Sequence, residues 1–353
     1  MTLEDLGWDR SFSAHFGEYA DRGYSAGRVA LEHRNRYEIY FEEGCIAGEL
    51  AGRLRYQTSN AGELPAVGDW VAMSVIDGEH RAIIHGVLPR RSGFSRKAVG
   101  EAAAEQVVAA NIDTVFLVTG LDGNFNLRRI ERYLALAWES GANPVVVLNK
   151  ADLCDTLDEC VADAEAVALG VPVIAVSATE REGLERLAAY LRPGKTIALL
   201  GSSGVGKSTL TNSLAGEELQ EVGDVSGSVG KGKHTTTHRE LILIPSGGML
   251  IDTPGMRELG LWSAGEGLQE TFEDIEALAG DCRFRDCAHQ NEPGCAIRRA
   301  LEDGELDAGR FRNYEKMLRE IAYLERRHDM AATQAVRREW KQISKQFRKN
   351  KKG

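Results

Sequence analysis

The chain has 353 residues, 43% of them hydrophobic and 27% charged, with a net charge of −10, which leaves room for two or three globular domains. No apolar run approaches the ~20 residues of a membrane span, and the acidic start MTLEDLGWDRSF has neither the cationic residues nor the apolar core of a secretory signal, so a cytoplasmic protein with no membrane partner is expected. Its six cysteines then read as thiols or metal ligands rather than disulfides.

The negative balance alone argues against a nucleic-acid partner, but the charge is segregated. Residues 337–353, RREWKQISKQFRKNKKG, hold eight Lys/Arg against one Glu, a net +7 that leaves −17 on the rest. A basic tail of this kind reads as an RNA-binding arm.

Residues 1–24 show weak helical patterning and no chemistry. From Gly27 to about Leu88 the period switches to that of strands: GRVALEH, RYEIYFE, CIAGELAGRLRY, DWVAMSVI and RAIIHGVL. Five short β segments separated by Asn35, Gly44, Gly62/Pro65/Gly68 and Asp77-Gly78 predict a small closed barrel. An OB-type β-barrel leads, with an SH3-like barrel left open, and OB-folds commonly bind single-stranded or structured nucleic acid. Arg90, Arg91, Arg96 and Lys97, just after it, are placed to contact phosphates.

Residues 98–111 have the spacing of a helix or a linker. Apolar strands at Thr114 to Thr119 and Pro144 to Leu148 then alternate with a helix at Arg128 to Gly141, the pattern of a parallel sheet covered on both faces. The second strand runs straight into Asn149-Lys150-Ala151-Asp152, which resembles the guanine-recognition motif of the P-loop GTPases. In that resemblance Asp152 accepts from guanine N1–H and N2–H₂, while Asn149 bonds the base's other edge and braces the loop. A helix at Leu157 to Leu169 and a strand at Pro172 to Val176 lead to Ser177-Ala178, which in the same family offers a backbone N–H to guanine O6. A further helix is predicted at Gly183 to Leu191.

The apolar run Ile197 to Leu200 enters Gly201-Ser202-Ser203-Gly204-Val205-Gly206-Lys207-Ser208-Thr209. This is a phosphate-binding loop, because its glycines let backbone N–H groups turn inward around a polyphosphate and the following helix presents its positive end. Lys207 is expected to reach the β/γ-phosphates and the Ser208 hydroxyl to ligate Mg²⁺. In ordinary GTPases the phosphate loop precedes the base motifs; here it follows them. Relinking the ends of a compact domain preserves its sheet, so the order predicts a circularly permuted GTPase.

Beyond the loop helix, residues 224–240, DVSGSVGKGKHTTTHRE, are glycine-rich, polar and β-poor, as a switch loop should be. Thr236, in preference to Thr235 and Thr237, is expected to bind Mg²⁺. Strands at Leu241 to Pro245 and Met249 to Ile251 end in Asp252-Thr253-Pro254-Gly255, where Asp252 would hold the Mg²⁺ shell through water and the Gly255 N–H would sense the γ-phosphate. Met256 stands where many GTPases carry a polar residue near the attacking water, so slow unaided hydrolysis is expected. His234 is the nearest titratable candidate for orienting that water.

Cys282-x₄-Cys287-x-His289-x₅-Cys295 places three thiols and an imidazole in one short Gly/Pro-containing loop. Such a set suits one structural Zn²⁺ per chain that staples a region too small to have its own core. Cys45, Cys154 and Cys160 read as scattered buried thiols. Helices are predicted at Leu306 to Arg326 and Met330 to Lys349.

The predicted organisation is an α/β chain in three parts: an N-terminal segment and OB-fold barrel over 1–97, a circularly permuted P-loop GTPase domain over 98–262, and a C-terminal zinc-binding helical domain with a basic tail over 263–353. Over residues 25–330 this conjunction resembles the ribosome small subunit-dependent GTPase A family. The resemblance implies a monomeric bacterial cytoplasmic factor that binds the small ribosomal subunit and its rRNA late in maturation, with GTP hydrolysis to GDP and phosphate stimulated there. Two alternatives remain on the residues alone. A P-loop small-molecule kinase fits the loop but not the base motifs, and a zinc/OB RNA-binding module with a degenerate GTPase fits poorly with an intact Lys207, Ser208 and Asp252.

Overall fold

The structure, a computed structural model, describes residues 1–33, 36–57, 61–76, 78–97, 105–216, 239–245, 247–252 and 265–326. Helix α1 (Arg10–Ala20) starts at Asp9, whose carboxylate accepts from the Ser11 and Phe12 N–H groups, satisfying donors that a helix start otherwise leaves orphaned. It lies against a barrel of β1 (Ser25–His33), β2 (Arg36–Phe41), β3 (Gly44–Leu50), β4 (Trp70–Ile76) and β5 (Arg81–Val87). The order β1-β2-β3-β5-β4 closes through β1–β4, and β3 and β5 run parallel.

Alternation builds this barrel: Tyr37, Ile39 and Phe41 point inward from β2 while their neighbours face out. Two glycines make room for Ile39. A Cβ at Gly27 or Gly48 would collide with its side chain, and burying that side chain contributes about 1.5–3 kcal/mol. The third predicted strand ran too far, because residues 52–57 form helix α2 (Gly52–Gln57). Alternation fails at Ala51-Gly52, and Leu54 packs on the barrel core instead of extending its wall.

Residues 1–24 carry structure rather than chemistry. Trp8 and Phe12 pack on the buried Trp70, and the fully buried Arg28 ties three segments together by donating to the carbonyls of Leu6, Gly68 and Asn111. Burial pushes its guanidinium down to about 10, with Asp113 and Asp69 opposing the shift. The arginines expected to meet phosphates are partly committed. Arg90 is paired with Asp69 and donates to Leu64, and Arg91 is paired with Asp9 and stacked over Phe12.

Of the helix or linker expected over 98–111, residues 98–104 lie outside the described residues, and the described part is corrected: β7 (Glu105–Ala110) is a strand that pairs antiparallel with β6 (Gly93–Lys97). An alanine-rich run carries helical propensity, but Val108, Ala109 and Ala110 are wholly buried against the barrel, and tertiary burial decides.

The second half is a sheet with helices: β8 (Thr114–Gly120), α3 (Leu127–Ser140), β9 (Asn143–Asn149), α4 (Leu157–Val167), β10 (Val173–Val176), α5 (Leu184–Ala188), β11 (Thr196–Leu200), α6 (Lys207–Ala215), β12 (Arg239–Leu243) and β13 (Met249–Asp252). Strand order is β10-β9-β8-β11-β13-β12, parallel except for β12. β8 and β11 are buried at every residue, as strands covered on both faces must be. β11 is central although it comes fourth in the chain of these strands, the mark of a permuted order. β12 also pairs with β1, at Leu31 with Glu240 and Glu32 with Arg239, so the barrel and the second half join in one continuous sheet.

The C-terminal part consists of α7 (Glu266–Thr271), α8 (Glu273–Gly280), α9 (Ala296–Asp303) and α10 (308–326). α7 packs closely on α3, since a Cβ at Gly267 would collide with the Ala135 carbonyl. Between α3 and α10 lies a buried polar cluster. Glu131, fully buried, is paired with Arg128 and Arg310 and accepts from Asn313 at 2.6 Å, while Arg310 also forks onto Asp274. Among the described residues no helix is long and apolar enough to cross a membrane. The helix expected at Met330 to Lys349 and the basic tail lie outside the described residues.

Candidate functional site

β11 delivers Gly201 to the centre of the sheet's carboxyl edge, where open α/β sheets bind ligands. A Cβ on Gly201 would strike the Val118 carbonyl of the neighbouring strand, and one on Gly206 would strike the Asn149 amide. Gly204 and Gly206 have φ of +79° and +90°, a left-handed conformation that a side chain strains. The loop therefore needs glycine at these positions. α6 starts immediately after Gly206 with no side-chain cap, so its first N–H groups are presented to the loop for an anion. Lys207 curls back over the loop, its Nζ donating to the Gly201 and Ser202 carbonyls at 2.7 Å each. Ser203 is exposed, Val205 is buried, and Ser208 and Thr209 are half-buried on the first turn of α6.

The base-motif residues converge on this loop. Asn149, buried at the end of β9, donates from Nδ2 to the Val205 carbonyl at 2.8 Å and accepts at Oδ1 from the Ala178 N–H at 3.1 Å. Lys150, with φ of +64°, donates to the Gly204 carbonyl at 2.7 Å and is paired with Asp122. Asp152 is exposed in the 3₁₀ turn Ala151–Leu153. Ser177 is buried and accepts from the Glu180 N–H at 3.1 Å, and the Ser213 hydroxyl of α6 donates to the Ala178 carbonyl at 2.9 Å. Of the Ser177-Ala178 turn expected to offer a backbone N–H to guanine O6, the Ala178 N–H is engaged by Asn149.

Two residues at this edge belong to no motif. Burial would raise the Asp122 carboxyl, but Lys150 outweighs it and holds the group below the usual carboxylate range. Arg129 donates to the Ser202 hydroxyl at 3.0 Å. The signal for Asp122 was its place just beyond β8, at the same carboxyl edge. β13 lies beside β11 with Ala198 level with Ile251, so Asp252 stands at the strand end next to the loop. Thr236, His234 and Gly255 lie outside the described residues, as does Met256.

Away from the nucleotide edge, the ligand atoms of Cys282, Cys287, His289 and Cys295 all lie within 4.8 Å of one another. His289 Nδ1 stands 3.6 Å from the Cys282 sulfur and 3.5 Å from that of Cys295, and those sulfurs are 4.0 Å apart. Tetrahedral Zn²⁺ with ordinary bond lengths puts ligand sulfurs about 3.8 Å apart and nitrogen about 3.6 Å from sulfur, so the donor set fits that ion. The start of α9 aims N–H groups at two of the sulfurs, Ala296 at Cys282 and Arg298 at Cys295, as suits thiolates. Burial would raise the Cys282 thiol, but the Ala296 and Ile297 N–H groups and the neighbouring thiols outweigh it and bring it below its ordinary value. The other cysteines do not follow the expected burial: Cys45 is exposed, and Cys154 and Cys160 are half-buried with sulfurs 3.8 Å apart.

Residues 87–262 match the RsgA GTPase family. The small ribosomal subunit biogenesis GTPase RsgA of Opitutus terrae is 51% identical over 352 residues, covering 97% of this chain and 96% of that one. The chain belongs to the RsgA GTPase family. A second RsgA, from Syntrophotalea carbinolica, is 44% identical over 98% of this chain and 97% of its own. The crystal structure of YjeQ from Thermotoga maritima superposes with a TM-score of 0.63 at 31% identity, covering 85% of this chain and 99% of that one. YloQ, described as a circularly permuted GTPase, gives a TM-score of 0.60 at 24% identity over 85% of this chain and 95% of its own, which supports the permuted fold.

As a member of the RsgA GTPase family the protein is a GTP hydrolase, and its OB-type barrel, permuted α/β sheet and C-terminal Cys/His cluster are the expected architecture. Both the kinase reading and the degenerate-GTPase reading give way to this membership.

Proposed function

We propose that this chain is a cytoplasmic, monomeric GTPase that binds the small ribosomal subunit and its rRNA and acts late in the subunit's maturation, hydrolysing GTP to GDP and phosphate with turnover stimulated there. The observation that carries the reading is the side chain of Asn149, which joins the candidate base loop to the phosphate loop through Val205 and to the Ser177-Ala178 turn through Ala178. Near-full-length identity to proteins named for small-subunit biogenesis supports the partner.

In this reading Asp152 accepts from the guanine edge, and a carboxylate on two donors discriminates by about 1–3 kcal/mol. The N–H groups of Gly201 to Thr209 cradle the phosphates, and Lys207, already poised over the loop, neutralises charge at the β/γ end. Ser208, Thr236 and Asp252 would hold Mg²⁺, which supplies neutralisation of the β and γ oxygens when bound. The Gly255 N–H senses the γ-phosphate, Lys150 shapes the base loop, and His234 or the ribosomal partner orients the attacking water that Met256 cannot. Cys282, Cys287, His289 and Cys295 hold one structural Zn²⁺, and the tail over 337–353 meets RNA phosphates. The functional divisions fall at 97/98 and 262/263. Measuring GTP turnover with and without purified small subunits tests the proposal.

A further inference from the structure

We infer that Arg129 is a positioning residue for GTP hydrolysis, setting the phosphate loop through the Ser202 hydroxyl. The inference rests on the reading of Gly201 to Thr209 as the phosphate site.

Arg129 sits in the first turn of α3, where the Asn126 side chain caps its N–H at 3.1 Å. Its guanidinium donates to Ser202 Oγ at 3.0 Å. The two other arginines of this stretch are spent on carboxylates: Arg128 on Glu131 and Asp307, and Arg132 on Glu320 through two bonds of 2.7 Å. Among the described residues Arg129 forms no ion pair, so a full positive charge stands half-buried beside a loop built for polyanions. Ser202 is held from two sides, since its carbonyl accepts from Lys207 at 2.7 Å. A line of contacts thus runs from Arg129 through Ser202 to the ammonium that serves the β/γ-phosphates.

What fixes Arg129 is the rest of α3. The same helix is clamped to the C-terminal part through Glu131–Arg310, Arg128–Asp307, Arg132–Glu320 and the close seat of Gly267 on Ala135. The helix cannot shift relative to the phosphate loop without the C-terminal part shifting too. Arg129 is the contact at which that part's position reaches the loop.

Because the contact line ends at Lys207, its loss is felt by a triphosphate more than by a diphosphate. The test uses the full-length, metal-loaded protein. Single-turnover hydrolysis of γ-labelled GTP, fluorescent-GDP affinity and melting temperature are measured for wild type, Arg129→Ala, Ser202→Ala, the double variant and Lys207→Ala. Arg129→Ala is expected to slow hydrolysis about tenfold or more, the scale of one hydrogen bond to a charged group, with GDP affinity and melting temperature little changed. Ser202→Ala is expected to slow it in the same sense, with the double variant no slower than Arg129→Ala alone. Wild-type rates in both single variants, multiplying effects in the double variant, or a parallel fall in GDP affinity and melting temperature would overturn the inference. If Arg129→Ala does not fold, Ser202→Ala decides, since it removes the acceptor and leaves the charge. Lys207→Ala separates the two levels: undiminished hydrolysis there means that the phosphate-site reading itself has failed.

Discussion

Asn149 reaches Val205 across 56 positions of sequence, its amide donating to that carbonyl at 2.8 Å. One buried side chain thereby ties the candidate base loop to the candidate phosphate loop although the permuted chain order sets them far apart in sequence. Replacing it by alanine removes two hydrogen bonds and leaves the Val205 carbonyl and the Ala178 N–H without their partner. A loss of roughly 2–3 kcal/mol follows, on the order of 100-fold in affinity. Titration of Asn149→Ala with fluorescent GDP measures it, and an affinity close to wild type would mean that the brace is dispensable.

Asp152 stands exposed in the same candidate base loop, free to meet a base edge. Asp152→Asn replaces its acceptors with an amide, so preference is expected to move from guanine toward xanthine nucleotides. Competition of GDP against XDP on the variant reads this directly; unchanged selectivity would remove Asp152 from the base site.

The four-residue cluster at Cys282 predicts one zinc per chain in protein purified without chelator, measured by elemental analysis. Cys287→Ser is expected to lose the metal and destabilise the C-terminal segment while fluorescent-GDP binding is largely retained, because the nucleotide motifs all precede it. Substoichiometric zinc in the wild type would contradict the assignment.

Arg132 holds the Glu320 carboxyl below the usual carboxylate range, with partial burial opposing. A carboxylate depressed in the folded state adds stability above its unfolded value of about 4.3, and that stability is lost as pH falls through the lower folded value. The pair is about a third exposed, so screening limits it to about 1 kcal/mol at neutral pH. Glu320→Gln is therefore expected to melt lower than wild type at pH 7, with the gap narrowing below about pH 4.3. A gap independent of pH would show that the loss is one of packing.

Much of this site was readable because its chemistry demands fixed spacings. A glycine at 206 is forced by the Asn149 amide behind it, and the apolar strands feeding residues 149 and 201 are buried on both faces. The pairing of β7 with β6 was hidden by alanines whose local preference is helical. Glu131 and Arg310 are 179 positions apart, and on an amphipathic helix a buried glutamate looks like any surface charge. Arg129 was invisible for the same reason, since only the fold brings it to Ser202.

In the proposed function, Asn149, Asp152 and Lys207 build the nucleotide site of a ribosome-dependent GTPase. Steady-state GTP hydrolysis by the full-length protein, measured alone and with purified small ribosomal subunits, tests it most directly. Turnover is expected to be slow alone and to rise about tenfold or more with subunits, about 1.4 kcal/mol off the barrier, and the rise is expected to be absent in Lys207→Ala. Equal turnover with and without subunits, or turnover that survives in Lys207→Ala, would contradict it.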